Sequence, residues 1–120
     1  MDRKRRESLA LLDPRPGERL LIVGAGTGAD LPHLPSGCSV LATDLTPAML
    51  RRARPRARKG THLVVMDGHQ LAVPDAAFDG VVLHLVLAVI PVPVRCLREV
   101  GRALALQPFL GELLELRFGL

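Results

Sequence analysis

One feature restricts the fold of this chain more than any other. The aliphatic run Leu20-Leu21-Ile22-Val23 passes directly into the glycine-rich turn Gly24-Ala25-Gly26-Thr27-Gly28-Ala29-Asp30. A continuous aliphatic run reads as a strand buried on both faces, the kind found in parallel sheets covered by helices. The turn that follows must let backbone approach a ligand where a Cβ would intrude, and three glycines at alternate positions supply that room. Sixteen residues past Gly28 comes Asp44, at the end of a second strand over residues 38–43. Its carboxylate can accept hydrogen bonds from both hydroxyls of a ribose. A site drawn from two neighbouring strand ends suits a nucleoside cofactor.

Beyond this unit, strand and helix signals alternate. Residues 5–12 have the spacing of a short amphipathic helix, Pro14-Arg15-Pro16-Gly17 is a turn, and residues 19–23 are the first strand. Pro32 and Pro35 limit residues 29–34 to a brief helix. Thr46-Pro47 reads as an N-cap followed by proline at the first helical position, opening a helix over residues 47–54 that Pro55 ends. A third strand over 62–66 closes on Asp67-Gly68, and Phe78-Asp79-Gly80 leads into a fourth over 81–85. Apolar residues recur at helical spacing over 94–106. The alternation predicts an α/β domain with a parallel sheet and right-handed crossovers.

At 120 residues the chain is expected to form one domain over 1–120, large enough for a core but small for a complete doubly wound enzyme. An apolar content of 48% excludes a disordered chain. Cys38 and Cys96 form no ligand spacing and read as small buried hydrophobes or reduced thiols, which fits a cytoplasmic setting. The basic N-terminus leads only into the short apolar stretch 9–12, so no signal peptide is expected. The longest apolar run, 81–94, is interrupted by His84, Pro91 and Pro93 and falls short of the roughly 20 residues a membrane span needs.

Taken alone, the glycine loop fits two cofactor classes. Gly24, Gly26 and Ala29 satisfy G-x-G-x-x-G/A, and Asp44 lies twenty residues beyond Gly24, which also suits a nicotinamide dinucleotide. The order of later features separates the two. After the strand and turn 21–28 come Ala42-Thr43-Asp44-Leu45-Thr46-Pro47-Ala48-Met49-Leu50, then Val65-Met66-Asp67-Gly68, the approach to the fourth strand over 71–82, and the helix around Leu97-Arg98-Glu99-Val100-Gly101-Arg102-Ala103-Leu104. In this order the chain resembles class I S-adenosylmethionine-dependent methyltransferases from residue 19 to about 105. Segments 24–35 and 83–91 are similar to small methyltransferases of the ubiquinone and phosphatidylethanolamine type.

The resemblance implies that the loop Gly24, Ala25, Gly26, Thr27 and Gly28 holds the cofactor, with backbone around the first three facing its methionine part. Asp44 would hold the ribose hydroxyls. Leu45 and Met49 would pack on the adenine, and Asp67 with the backbone of Gly68 and His69 would border its exocyclic amine. Each has a plainer reading: Asp44 and Asp67 as turn caps, Met49 as core filler. His84, near the end of the fourth strand where the sulfonium and the acceptor would meet, is counted with the cofactor-binding residues and is the candidate general base, against the plainer reading of a partly buried histidine satisfied by backbone. His33, His62 and His69 show no metal-ligand spacing, and no metal is expected. Methyl transfer from a sulfonium to a neutral nucleophile draws mainly on positioning and desolvation, so a catalytic acid or base is not required. No Asn/Asp-Pro-Pro-aromatic tetrapeptide follows the fourth strand, which argues against the nucleic-acid amino methyltransferases.

Charge is unevenly placed. Arg3, Lys4, Arg5 and Arg6 form one basic segment, and Arg51, Arg52, Arg54, Arg56, Arg58 and Lys59 another, ten of the sixteen basic residues in all. Either suits an anionic surface. A nucleic-acid partner is disfavoured, because no Trp or Tyr is present for stacking and the three Phe lie elsewhere. Peripheral contact with anionic membrane is compatible. The plainer reading is a solvated arginine-rich face.

Two departures from the family pattern stand out. Ile22 occupies the position two before the first glycine where most members carry an acidic residue. After about residue 106 the pattern expects a Pro-Gly-Gly-like turn and further strands, yet residues 107–120 have spacing that suits a short helix, an atypical tail that reads as a shortened end. The expected architecture is therefore a Rossmann-like, doubly wound, three-layer αβα sheet of four strands in the order 3-2-1-4, or five. The open edge would be covered by the tail, a short fifth strand or a second copy in a homodimer. The expected activity is methyl transfer from S-adenosylmethionine to a small molecule or lipid head group. Alternatives are a cofactor-binding module that acts through a partner without catalysis and, less favoured, an NAD-dependent oxidoreductase.

Overall fold

The structure is a computed structural model that describes residues 2–84, 86–105 and 118–119. Helix α1 (Asp2–Leu12) precedes strand β1 (Arg19–Val23), and a 3-10 turn (Leu31–His33) leads to β2 (Ser39–Asp44) and helix α2 (Pro47–Ala53). A second 3-10 turn (Arg54–Arg56) is followed by β3 (Thr61–Val65), β4 (Gly80–His84), α3 (Val86–Val89), α4 (Pro93–Ala103) and the two-residue β5 (Phe118–Gly119). The strands form one sheet in the order β3-β2-β1-β4-β5, and every neighbouring pair is parallel. β1 is central, with Leu21 opposite Leu41 on one side and Val81 on the other.

The period of two along the strands sorts their side chains into two cores. Leu20, Ile22, Val40, Ala42 and Val82 face one side, where Leu9 of α1 and Leu50 of α2 cover them. Leu21, Val23, Val81 and Leu83 face the other, against Cys96, Val100 and Ala103 of α4. Helices on both faces make the three-layer, doubly wound arrangement expected from the sequence. Ile22, two positions before the first glycine, is 1% exposed and packs in the first core.

Several boundaries differ from expectation. α1 starts at Asp2 rather than at residue 5. Thr46 holds the N-cap position of α2, but its hydroxyl makes no capping bond; its N–H instead donates to Asp44 Oδ1 at 2.9 Å. α4 stops at Ala103 rather than at residue 106, because Leu104 is extended (φ −77°, ψ 133°) and bridges Phe78, while Ala105 N–H donates to the Phe78 carbonyl at 2.7 Å. Pairing with the strand approach thus overrides helical periodicity. α3 was not expected at all. Of the tail expected as a short helix, residues 107–117 and 120 lie outside the described residues, while Phe118 and Gly119 pair with Leu83 and His84 as a parallel strand. The outer edge of β4 is therefore met by this chain itself.

Candidate functional site

Four loops that follow the carboxyl ends of β1 to β4 converge on one cleft of ≈ 340 Å³. In an open α/β sheet this is where ligands bind, beside the point at which the strand order reverses. Val23 and Gly24 line it after β1, Asp44, Leu45 and Thr46 after β2, Met66 to His69 after β3, and Val86, Val89, Ile90 and Pro91 after β4. The volume lies at the lower end of the range that small-molecule sites occupy.

The glycine loop divides its labour. Gly24, Gly26 and Gly28 all have positive φ, at 76°, 57° and 79°. A Cβ at Gly28 would stand 2.9 Å from Ala53 Cβ, and one at Gly24 would stand 3.0 Å from Val86 Cβ, so these two positions permit close packing of α2 and α3. A Cβ at Gly26 would meet nothing within 4 Å. That open space above a backbone turn is the kind of cradle a cofactor chain fills. Gly68 is confined in another way, with Val23 Cγ1 at 3.1 Å and Ile90 Cδ1 at 3.2 Å from any added Cβ.

Asp44 ties the loop to the second strand. Its Oδ2 accepts from Gly26 N–H at 2.8 Å, and its Oδ1 from Thr46 N–H at 2.9 Å. Each carboxylate oxygen retains a further lone pair. Ala25 N–H donates to the Thr43 carbonyl at 2.8 Å, so the start of the turn is pinned to β2 as well.

Asp67 and His69 form a second polar group. Asp67 Oδ1 accepts from His69 N–H at 2.9 Å and lies 2.9 Å from His69 Nδ1. Val92 N–H donates to His69 Nε2 at 3.0 Å, so Nε2 is the acceptor and Nδ1 carries the proton. The backbone N–H of His69, and after it the ring, hold the Asp67 carboxyl below the usual carboxylate range. The imidazole thus links the loop after β3 to the wall that follows α3. Behind this wall, burial above all, with lesser contributions from the charges of Asp67 and Glu99, pushes the Cys96 thiol up.

Of the residues expected at the site, Gly24, Asp44, Leu45, Asp67, Gly68 and His69 line the cleft, and Ala25, Gly26, Thr27 and Gly28 belong to the loop beside it without lining it. Leu45 is 66% exposed at the rim. Met49, 38% exposed on α2, does not line the cleft. His84 is the last residue of β4 and pairs with Gly119; its side chain lies outside what the structure describes. Among the described residues no group of three or more His, Cys, Asp or Glu could hold a metal ion. The sequence reading did not name Val23, Thr46, Met66, Val86, Val89, Ile90 or Pro91 as site residues. The signal for the last four was the apolar run after the fourth strand, whose place next to a strand's carboxyl end marks it as cleft wall.

Comparison with known proteins agrees with this fold. A family profile described as "Methyltransferase domain" matches residues 21–107. The chain is 36% identical over 103 residues to phosphatidylethanolamine N-methyltransferase of Cereibacter sphaeroides, a match covering 82% of this chain and 50% of that protein. It is 35% identical over 92 residues to demethylmenaquinone methyltransferase of Corynebacterium kroppenstedtii, covering 76% of this chain and 39% of that one. A solved S-adenosylmethionine-dependent methyltransferase from Mesorhizobium loti superposes with a TM-score of 0.69 at 30% identity, covering 82% of this chain and 47% of its own. The chain spans about half the length of these relatives, or less. The profile match runs from Leu21 in β1 past the end of α4 and takes in every residue that lines the cleft; this chain therefore belongs to the S-adenosylmethionine-dependent methyltransferase family.

Proposed function

We propose that this chain binds S-adenosylmethionine in the cleft and transfers its methyl group to a small molecule or lipid head group. The observation that carries the reading is the Asp44 carboxylate. It fastens the glycine loop through Gly26 N–H, lines the cleft, and keeps lone pairs for two further donors such as the hydroxyls of a ribose. The open space at Gly26 fits the cofactor's chain, and Leu45 offers an exposed apolar surface to a flat ring. Asp67 Oδ1 is engaged by His69, which leaves Oδ2 to accept from an amine. When bound, the cofactor supplies an electrophilic methyl group on a sulfonium.

The chain's own residues then orient and dry the site. Val23, Val86, Val89 and Ile90 give the cleft apolar walls that exclude water from a charged donor. On a neutral amine, methyl transfer gains most from holding donor and acceptor in line, with the S–CH3 bond breaking as the N–CH3 bond forms and the ammonium proton passing to solvent afterwards; a ring carbon as acceptor would also have to give up its proton. A lipid or quinone head group as acceptor is supported by the names of the two relatives above. Among the described residues no helix is long and apolar enough to cross a membrane.

Calorimetric titration with S-adenosylhomocysteine, with NAD as control, tests the donor site. The expected result is micromolar binding of S-adenosylhomocysteine alone, weakened at least about tenfold in Asp44→Asn with the fold retained by circular dichroism. Absence of binding by the folded chain, or equal binding of NAD, overturns the reading. Binding without transfer to any lipid or quinone acceptor would favour a cofactor-binding module that acts through a partner.

A further inference from the structure

The fold gathers the positive charge of this molecule onto one face. α1 and α2 cover the same side of the sheet, and the 3-10 turn Leu31–His33 lies between them, tied to α1 through Arg5 Nη1 to Asp30 Oδ1 at 3.3 Å. Residues 45–66 hold Arg51, Arg52, Arg54, Arg56, Arg58 and Lys59 and no acid at all. This stretch carries +6 in a chain whose net charge is +4, so all other residues together carry −2. The excess positive charge is therefore a local property of α2 and the turn that extends it.

The structure leaves this charge uncompensated. Elsewhere Arg3, Arg5, Arg15, Arg19 and Arg102 each meet a carboxylate. Among the described residues none of the six cations on 51–59 does. Arg56 Nη1 donates to the Thr27 carbonyl at 3.3 Å, and Arg58 donates to the carbonyls of Leu34 at 2.8 Å and Pro32 at 2.6 Å. A neutral carbonyl orders a guanidinium without cancelling its charge. Arg51, Arg52 and Arg54 are exposed, as are Arg3, Lys4 and Arg6 on the neighbouring helix. On α2 Met49 and Arg52 are three residues apart and share a face, and Leu45, exposed in the loop just before the helix, lines the cleft.

We infer that this face docks on an anionic lipid bilayer and brings the mouth of the cleft to the membrane surface. Exposed Leu45 and Met49 near the cleft rim, next to the exposed Arg51, Arg52 and Arg54, match the layering of a bilayer interface, acyl boundary beneath anionic head groups. A nucleic acid fits less well: stacking requires aromatic side chains, the chain has no Trp or Tyr, and Phe78 is buried in the core opposite this face. The inference deepens the methyl-transfer reading by giving the acceptor a source, but vesicle binding is read without cofactor or turnover, so the two fail separately.

The test is flotation of the whole chain with phosphatidylcholine vesicles, with and without phosphatidylglycerol, at low and high salt. Co-flotation is expected only with phosphatidylglycerol and is lost at high salt, where screening shortens the reach of each charge. A juxtamembrane cation contributes about fivefold to partitioning, so the double variant R51Q/R52Q is expected to bind roughly 25-fold more weakly. The charge-matched R95Q/R98Q on α4, on the opposite face, is expected to change binding by less than about twofold. The inference is overturned by absence of flotation, by equal losses in the two variants, or by a single-stranded oligonucleotide displacing the vesicles at equal phosphate concentration.

Discussion

At the scale of residues, three glycines of one loop share a left-handed backbone and yet serve different ends. Gly28→Ala combines positive φ with a contact of 2.9 Å to Ala53 Cβ, whereas Gly26→Ala meets only the backbone penalty. The expected loss of stability is about 1 kcal/mol for Gly26→Ala and about 2–4 kcal/mol for Gly28→Ala, read from urea denaturation followed by circular dichroism. Ligand affinity is expected to fall more at Gly26, whose N–H meets Asp44. Cys38 and Cys96 are both buried and both have thiols raised chiefly by burial. Thiol reagents are therefore expected to label the folded chain slowly and the unfolded chain at once, with labelling rate against urea as the measurement. The positions of Gly24 and Asp44 were legible in the sequence, because each follows an aliphatic strand directly, and that of Asp67 through the resemblance of Val65-Met66-Asp67-Gly68 to the family's third-strand end. The tautomer of His69 was not, since the N–H that sets it belongs to Val92, 23 residues away.

At the scale of elements, α4 is held to the loop before β4 by a charged network. Glu99 Oε1 accepts from Leu71 N–H at 2.8 Å and Oε2 from Arg102 Nε at 2.8 Å, while Arg102 also donates to the carbonyls of Leu71 and Val73. Hydrogen bonding from Arg102 is the main reason the Glu99 carboxyl titrates below its ordinary value; burial acts the other way. A carboxyl depressed in the folded state binds fewer protons there than in the unfolded chain, so its contribution is full above the unfolded value of about 4.3 and is lost as pH falls through the folded one. The urea midpoint should fall on that acid limb, and Glu99→Gln should lower the midpoint at neutral pH and flatten the limb. His69→Ala tests another junction between elements. It leaves Val92 N–H without its acceptor, and the expected result is faster amide exchange at Val92 together with weaker S-adenosylhomocysteine binding. The strands and α2 were legible because burial on two faces and the Thr46-Pro47 signal are local. α3 and the true end of α4 were not: a four-residue helix shows no period, and Leu104 obeys its bridge to Phe78 rather than its own neighbours.

At the scale of the whole molecule, one sheet separates two cores, one lined by α1 and α2 and the other by α4. The glycine loop touches the first core only through Ala25. Its order depends on β2, because Asp44 at the end of that strand fastens Gly26 and the Thr43 carbonyl fastens Ala25. Loosening the loop would mean parting it from the end of the strand that pairs with β1 along its whole length. A ligand that arrives at such a loop meets a surface whose ordering entropy has already been spent in folding. Its association is expected to be single-exponential and to rise linearly with ligand concentration, with no slow ordering step, in stopped-flow or surface-binding measurements. Substitutions around the cleft should then act on residence time: a weakened site releases its ligand sooner while capturing it about as fast.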